Sequence, residues 1–398
     1  MPLAAVMETD TSQGDIVANA ARVAHVETFH RLADVEAVWR SMETADHLFT
    51  PFQRFDFLSA WQIHVGQREG VEPFVIVASD AQGRPLAMLP LGTRTENGVR
   101  TASFLGGKHA TFNMPLLTRE FAATTAKADV ETLLELLRAQ PRKADLLALA
   151  RQPSHWQDIV NPLALLPGQP SVNGCPLLKL MPKAAPTERI SNSFRRRLKS
   201  KERKLQPLPG FRYLVAQTDD EIRRILEAFF AIKPQRMAIQ KLPDVFADPG
   251  VRDFIFSACL AKSAGHGHAI EIHALECDEE VIAIFAGVAD GHRFSMMFNT
   301  YTTSANSKYS PGLILLRNII DHYADRNHTS FDLGIGSDDY KLLFCKSDEP
   351  IFDSFLPLTT KGSIAALGLS SLTHAKRLVK QTPALAQMAQ LLRGALHR

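Results

Sequence analysis

Two neighbouring stretches, Phe294-Ser-Met-Met-Phe-Asn-Thr-Tyr301 and Lys308-Tyr-Ser-Pro-Gly-Leu-Ile314, decide how the chain is read. The first reads as a strand and Gly312 to Arg326 as a helix, so Ser310-Pro-Gly312 falls at a strand-to-helix junction. Ser310 suits an N-cap and Pro311 the first helical position, which leaves unpaired backbone N–H groups at the helix start. Such a terminus attracts anions, phosphates included, through those donors and the helix dipole. Gly312 carries no side chain to keep a bulky ligand from the backbone.

Upstream of this junction, Ala269 to Glu276, Val281 to Ala289 and Phe294 to Tyr301 are separated by the turns Asp278-Glu279 and Asp290-Gly291, the pattern of a three-stranded meander. Before it, Thr218-Asp-Asp-Glu221 is a capping box opening a helix with Ile222, Ile225, Leu226 and Phe229 on one face. Phe254, Ala258 and Ala261 continue in a second helix stopped by Gly265. After the junction helix come strands at Ser330 to Leu333 and Ile351 to Leu358.

The first half repeats the plan. Leu32, Val35, Trp39 and Met42 share a helical face, and Phe57, Leu58, Trp61 and Val65 a second, with Asp56 able to cap it. Pro73 to Ser79, Pro85 to Gly92 and Val99 to Leu105 form a meander, followed by a helix at Val130 to Gln140 and a strand at Asp145 to Ala150. Cys175 to Leu180 is expected to close this half. The proline-rich Pro182 to Pro186 marks a linker, because proline disfavours helix at the residue before it. An internal duplication is the simplest account. The expected organisation is a flexible leader over 1–26, domains over 27–183 and 184–365, and a basic helical tail over 366–398, whose stretch Leu372 to Leu396, broken by Pro383, is expected to dock or pack, with weak contact to anionic membrane as the alternative.

Composition limits the function classes. The 398 residues carry 45 Lys plus Arg against 42 Asp plus Glu, a net charge of +3, with 45% hydrophobic and 22% charged residues. That is ordinary globular usage and sets aside collagenous, low-complexity and disordered readings. The longest apolar run, Val281 to Ala289, is far short of the roughly 20 residues a spanning helix needs. Glu8, Asp10 and Asp15 stand where a secretory signal would be basic and then apolar, so a cytoplasmic location is expected. Four scattered cysteines form no C-x-x-C pair, and His266, His268 and His273 lack metal-ligand spacing backed by acids, so no metal is expected. Without a G-x-S-x-G elbow, a Walker A motif or G-x-G-x-x-G, serine hydrolysis, nucleotide hydrolysis and Rossmann binding lose support.

The motifs Tyr309-Ser-Pro-Gly312, Phe331-Asp-Leu-Gly334 and Tyr340-Lys341 with Phe344 lie in one run, supported by the basic segment Phe194 to Lys204. Together, from about Glu188 to Leu358, they resemble the GNAT-superfamily acyltransferases of the CelD-like group, which have kinship to FemABX-type aminoacyl transferases. Pro73-Phe-Val-Ile-Val77, Pro85 to Leu91 and Phe104-Leu-Gly-Gly107 are similar to the amino-terminal part of that group. The resemblance implies an α+β fold of tandem GNAT-like domains, each a mostly antiparallel mixed sheet flanked by helices. It implies acyl transfer from acetyl-CoA or another acyl-CoA to an amine or hydroxyl of a small-molecule or glycan-precursor acceptor, in polysaccharide or envelope metabolism. On this likeness Tyr309, Ser310 and Gly312 occupy the phosphate-loop position, and Phe298, Asn299 and Tyr301 the strand edge beside the donor arm. The superfamily's usual loop is Gln/Arg-x-x-Gly-x-Gly/Ala; here only Gly312 matches, and Ile314 stands where a small residue is expected. Acyl-CoA, an acyl carrier protein and aminoacyl-tRNA therefore all stay open as donors, and a binding module without catalysis is a further alternative.

Direct transfer requires a neutral nucleophile, a route for its proton and stabilisation of the developing oxyanion. Tyr340 is the expected acid for the leaving thiolate, Lys341 the group steadying negative charge, and Asp332 or Asp338 the acceptor of the nucleophile's proton. The segment Asn192 to Lys204 holds seven cations against one acid. Arg195 and Arg196 in it are candidate clamps for CoA phosphates, the alternatives being a tRNA contact, weak attachment to anionic membrane or a solvated face.

Overall fold

The computed structural model describes residues 22–381 except 182, 264, 266 and 337; the expected leader up to residue 21, the end of the tail and His266 lie outside the described residues. The first half runs β1 (His25–Phe29), α1 (Leu32–Ser41), α2 (Phe55–Trp61), β2 (Glu72–Ser79), β3 (Pro85–Glu96), β4 (Val99–Phe104), α3 (Lys127–Ala139) and β5 (Leu146–Pro153). Then come β6 (Cys175–Lys179) and the basic helix α4 (Asn192–Glu202). The second half runs β7 (Arg212–Val215), α5 (Asp219–Ile239), α6 (Val251–Leu260), β8 (Glu271–Glu276), β9 (Val281–Ala289), β10 (Arg293–Tyr301), α7 (Pro311–Ala324) and β11 (Ser330–Asp332). The chain continues through β12 (Ser347–Glu349) and β13 (Ile351–Pro357) into α8 (Thr360–Gln381). The fold is α+β, with two mostly antiparallel mixed sheets flanked by helices.

Both halves share the order β-α-α-β-β-β-α-β. Each opens on an edge strand, β1 or β7, of five or four residues, too short to show a period in the sequence. Consequently residues 25–26 belong to a strand rather than to a leader. The long strands follow their apolar runs: β9 is buried at all nine positions, as a central strand covered on both faces must be. The capping box of α5 is formed, with Thr218 Oγ1 accepting from the Glu221 N–H and Glu221 accepting from the Thr218 N–H.

The far strand of each sheet comes from elsewhere in the chain. β6, expected to close the first half, pairs antiparallel with β11 and β12 in the second sheet. Conversely β13, read as the end of the second half, pairs antiparallel with β5 in the first sheet. The sheet orders are therefore β1-β2-β3-β4-β5-β13, continued by Gln169–Pro170, and β7-β8-β9-β10-β11-β6-β12. A boundary at 183 does not separate the two sheets. Periodicity identifies a strand but not its partner, because β6 and β13 present comparable buried patterns.

The halves are also tightly fitted. Gly250, at φ +83° before α6, comes so close to the His64 carbonyl that a Cβ there would overlap it. Phe57 of α2 packs edge-on against Phe254 of α6, ring centroids 5.4 Å apart. The four cysteines are unbridged.

A chain ending at residue 183 keeps β5 but loses β13 and α8, exposing a hydrogen-bonding edge and the apolar face beneath. It should aggregate or show no cooperative melt, whereas co-expression with residues 184–398 should restore soluble material; a soluble, cooperatively melting 1–183 fragment would refute the exchange.

Candidate active site

In each sheet the meander's last strand pairs in parallel with the strand after the helix, and only briefly. In the first half Thr101 pairs with Leu146 and Ala102 with Leu147, after which β4 and β5 separate. The gap is filled by the chain itself: the Asn113 N–H donates to the Arg151 carbonyl (3.0 Å) and Asn113 Nδ2 to the Ala150 carbonyl (3.1 Å). In the second half β10 and β11 pair at Arg293–Ser330, Phe294–Phe331 and Ser295–Asp332, and then part. From Met296 to Tyr301, β10 has no strand on that side among the described residues. A register shift against β9 makes Met297 an extra, bulged residue at the start of this stretch.

Asp332 sits where the strands part. It is wholly buried, one oxygen accepting from Ser295 Oγ (2.5 Å) and the other from the Gly334 N–H (3.0 Å), with Cys175 Sγ at 3.7 Å. Burial pushes its carboxyl up to about 6, against the opposing pull of Arg293 and these hydrogen bonds. With both oxygens engaged and no exposure, it holds strand to turn rather than receiving a substrate proton. Gly334 follows at φ +72°, where a Cβ would lie 3.0 Å from the Met296 carbonyl. Lys341, expected to steady a reacting charge, is buried and donates to the carbonyls of Gly334 (3.2 Å) and Ile335 (3.1 Å), with Asp338 at 3.4 Å. Its three donors are committed to the turn that keeps β11 away from β10.

Tyr340 lies on the unpaired stretch itself. Asn299 Nδ2 donates to its hydroxyl at 3.4 Å, and the Met296 sulfur is 3.9 Å from it. Burial first, and Asp338 second, raise its pKa, so the phenol stays protonated at neutral pH. Asp338 is exposed. Phe298 points its side chain away from the edge into a cluster with Phe229 and Phe246. Its register opposite Ala286, in step with the Thr302 N–H that donates to the Ile282 carbonyl, turns its backbone groups toward β9, so the expected edge role does not fall to Phe298. The Asn299 carbonyl accepts from Lys233 Nζ at 3.0 Å.

At the far end of β10, the loop to α7 is pinned by Glu280, which accepts from Thr302, Ser304 and Asn306 at 2.6, 2.9 and 2.7 Å. Ser310 occupies the N-cap position in a left-handed conformation (φ +56°, ψ +52°) and its side chain caps nothing. Its carbonyl takes the Leu313 and Ile314 N–H groups at 3.1 and 3.2 Å. The expected nest of free amides is thus reduced to the Gly312 N–H, which has no backbone partner among the described residues. Gly312 is buried beneath the Tyr301 ring, a Cβ there falling 3.4 Å from it. Side-chain cations replace the missing amides. Lys201 Nζ donates to Ser310 Oγ (2.7 Å), Lys308 stands over the Tyr309 ring, and the Arg236 guanidinium lies 3.3 Å from the Tyr301 ring centre.

The basic helix has two kinds of cation. α4 runs antiparallel to α7, burying Phe194 and Leu198. Arg195, expected as a phosphate clamp, is buried against Asp321, which Arg189 also contacts at 3.1 Å. Arg196 faces solvent, and Lys201 reaches the helix start. The sequence reading missed Lys233, Arg236 and Ser295. Lys233 and Arg236 are three apart on α5, a spacing that says which face they share but not what the face meets. Between the halves, at the opposite end of β10, lies a cleft of about 1180 Å³ lined by Arg54, Trp156, Lys179, His292, Arg293 and Asp348 among others.

Residues 192–342 match the family model described as an acetyltransferase (GNAT) domain. FemX is similar in structure, with 11% identity, 82% of this chain and 96% of that one covered, and a TM-score of 0.52. So is a C-terminal domain attributed to a lysylphosphatidylglycerol synthetase of Agrobacterium fabrum, with 12% identity, 86% and 97% covered, and a TM-score of 0.51. At these identities the likeness is one of fold. No curated protein matches the sequence.

The Asp332 carboxyl gives a signed expectation. Its folded pKa is raised, so its contribution to stability is fully present below the unfolded value near 3.8 and is lost as pH rises toward about 6. From pH 3.5 to pH 7, Asp332→Asn should gain roughly 3 kcal/mol relative to wild type in denaturant unfolding; a constant difference would show the carboxyl titrates normally. Lys341→Met leaves two carbonyls of the turn without their donor and should cost about 2–4 kcal/mol in the same assay.

Proposed function

We propose that the chain is a cytoplasmic N-acyltransferase of the CelD-like group, moving an acyl group, acetyl in the first instance, from acyl-CoA to an amine or hydroxyl acceptor in polysaccharide or envelope metabolism. The observation that carries this reading is the unpaired edge Met296–Tyr301, which ends at a helix start ringed by Lys201, Lys308 and Arg236. An extended amide-bearing arm can pair with such an edge as a further strand would, and a diphosphate is the natural partner of the cations at its end. In the first half the corresponding gap is closed by Asn113, which supports placing the chemistry in the second half.

The transfer forms a bond from the acceptor nitrogen or oxygen to the thioester carbonyl carbon and breaks the carbon–sulfur bond, the sulfur leaving with the electron pair. Tyr340, kept protonated by burial, supplies the proton to that sulfur and regains one from solvent. Asp338, exposed beside it, takes the proton the acceptor releases. The net change is one proton moved from acceptor to thiol.

One observation favours a second donor. The solvent-facing cations of α4 and of the turn that follows it, Arg196, Arg197, Lys199, Arg203 and Lys204, adjoin Lys201 at the same helix start, and they suit the backbone of an aminoacyl-tRNA, as in a FemX-like transferase.

Calorimetry with acetyl-CoA should show binding that Lys201→Glu weakens by about tenfold or more, since it reverses a charge at the phosphate end. Tyr340→Phe should leave that binding intact and lower kcat on a responsive acceptor about 10²-fold. Binding of tRNA with none of any acyl-CoA would transfer the assignment to the second donor. Thioester binding without turnover on a broad acceptor panel would leave a binding module.

A further inference from the structure

Helix α8 presents its apolar side to the wrong medium. Its inner side lies on β13 and β5, with Gly362 so close to the Asp145 carbonyl that a Cβ would overlap it, and Ala366 buried. On the outer side Ile364 is 73% exposed, Leu367 72%, Leu372 50% and Leu378 49%. At 3.6 residues per turn these four fall within an arc of about 140° and along about 21 Å of helix. Scattered exposed leucines need no explanation, but a continuous stripe facing outward reverses the usual surface helix.

Charge says what covers the stripe. From Thr360 to Arg398 the sequence has six Lys or Arg (Lys361, Lys376, Arg377, Lys380, Arg393, Arg398) and no Asp or Glu. The rest of the chain then carries 45 − 6 = 39 cations against 42 acids, a net −3, so the excess positive charge is concentrated here. Around the start of α8 the basic rim is extended. Arg138 donates to the Pro357 carbonyl (3.3 Å), Arg142 is exposed, and Lys361 donates to the Gly98 carbonyl (2.7 Å). A second copy seated on this face would bring two all-basic segments together. An anionic bilayer surface receives both the apolar stripe and the cations beside it.

We infer that α8 docks the protein on anionic membrane, lying in the plane of the interface with Ile364, Leu367, Leu372 and Leu378 toward the acyl chains. Among the described residues no helix is long and apolar enough to cross a membrane, so the attachment is peripheral. The inference is independent of the donor and acceptor assignments, since α8 packs on the first sheet.

The test is co-sedimentation of the full chain with phosphatidylglycerol–phosphatidylcholine vesicles and with pure phosphatidylcholine vesicles. Binding to the anionic vesicles should be about tenfold stronger or more, and should fall in high salt. The double variant Leu367→Glu/Leu372→Glu alters exposed side chains only and should keep the wild-type melting temperature while losing about tenfold or more of the binding. Lys376→Glu/Lys380→Glu should remove the preference for anionic lipid. Absence of vesicle binding, or equal binding by wild type and the leucine double variant, would overturn the inference. So would a wild-type dimer that this variant makes monomeric, which would assign the face to a second copy.

Discussion

Everything proposed for the second half depends on two parallel strands that pair for three residues and then separate. Separation is costly, because each strand then presents backbone groups that must find other partners or water. Here β11 is turned aside by a short internal framework. Asp332 draws in Ser295 and the Gly334 N–H, Gly334 takes a left-handed conformation, and Lys341 satisfies the carbonyls of Gly334 and Ile335. The turn after β11 thus satisfies its own Gly334 and Ile335 groups, and on the β10 side the stretch beside Tyr340 stays without a partner strand among the described residues, the Asn299 carbonyl being met by Lys233.

The two halves show what happens with and without such a framework. The same interruption occurs in the first sheet after Ala102 and Leu147, but there the chain folds Asn113 back onto Ala150 and Arg151. One shared element order therefore supports a filled gap and an open one. The exchange of β6 and β13 interlocks the halves through the hydrogen bonds of their sheets, and the Gly250–His64 and Phe57–Phe254 contacts fix their packing.

The cations of the basic segment illustrate how one composition serves separate ends. Arg195 is spent on Asp321 and helps lock α4 to α7, whereas Lys201, six residues on, reaches the start of α7. Lys341 and Asp332, chosen from the sequence for chemistry, prove to hold the turn that makes room for it. A charged residue next to a reactive group and one that positions the backbone look alike in sequence, since both are polar positions in an otherwise apolar run.

The sequence by itself determined the elements. Apolar periods located the helices and meanders, the capping box fixed the start of α5, and Ser310-Pro-Gly312 marked the start of α7, because these signals are local and depend only on which face of an element meets the core. Tertiary structure alone decided that β6 and β13 trade sheets, that the helix start is electropositive through Lys201, Lys308 and Arg236 rather than through free amides, and that only the second gap stays open. Those outcomes rest on contacts between residues far apart in the chain, Lys201 with Ser310 or Ser295 with Asp332. No spacing within one segment encodes where another segment will come to rest.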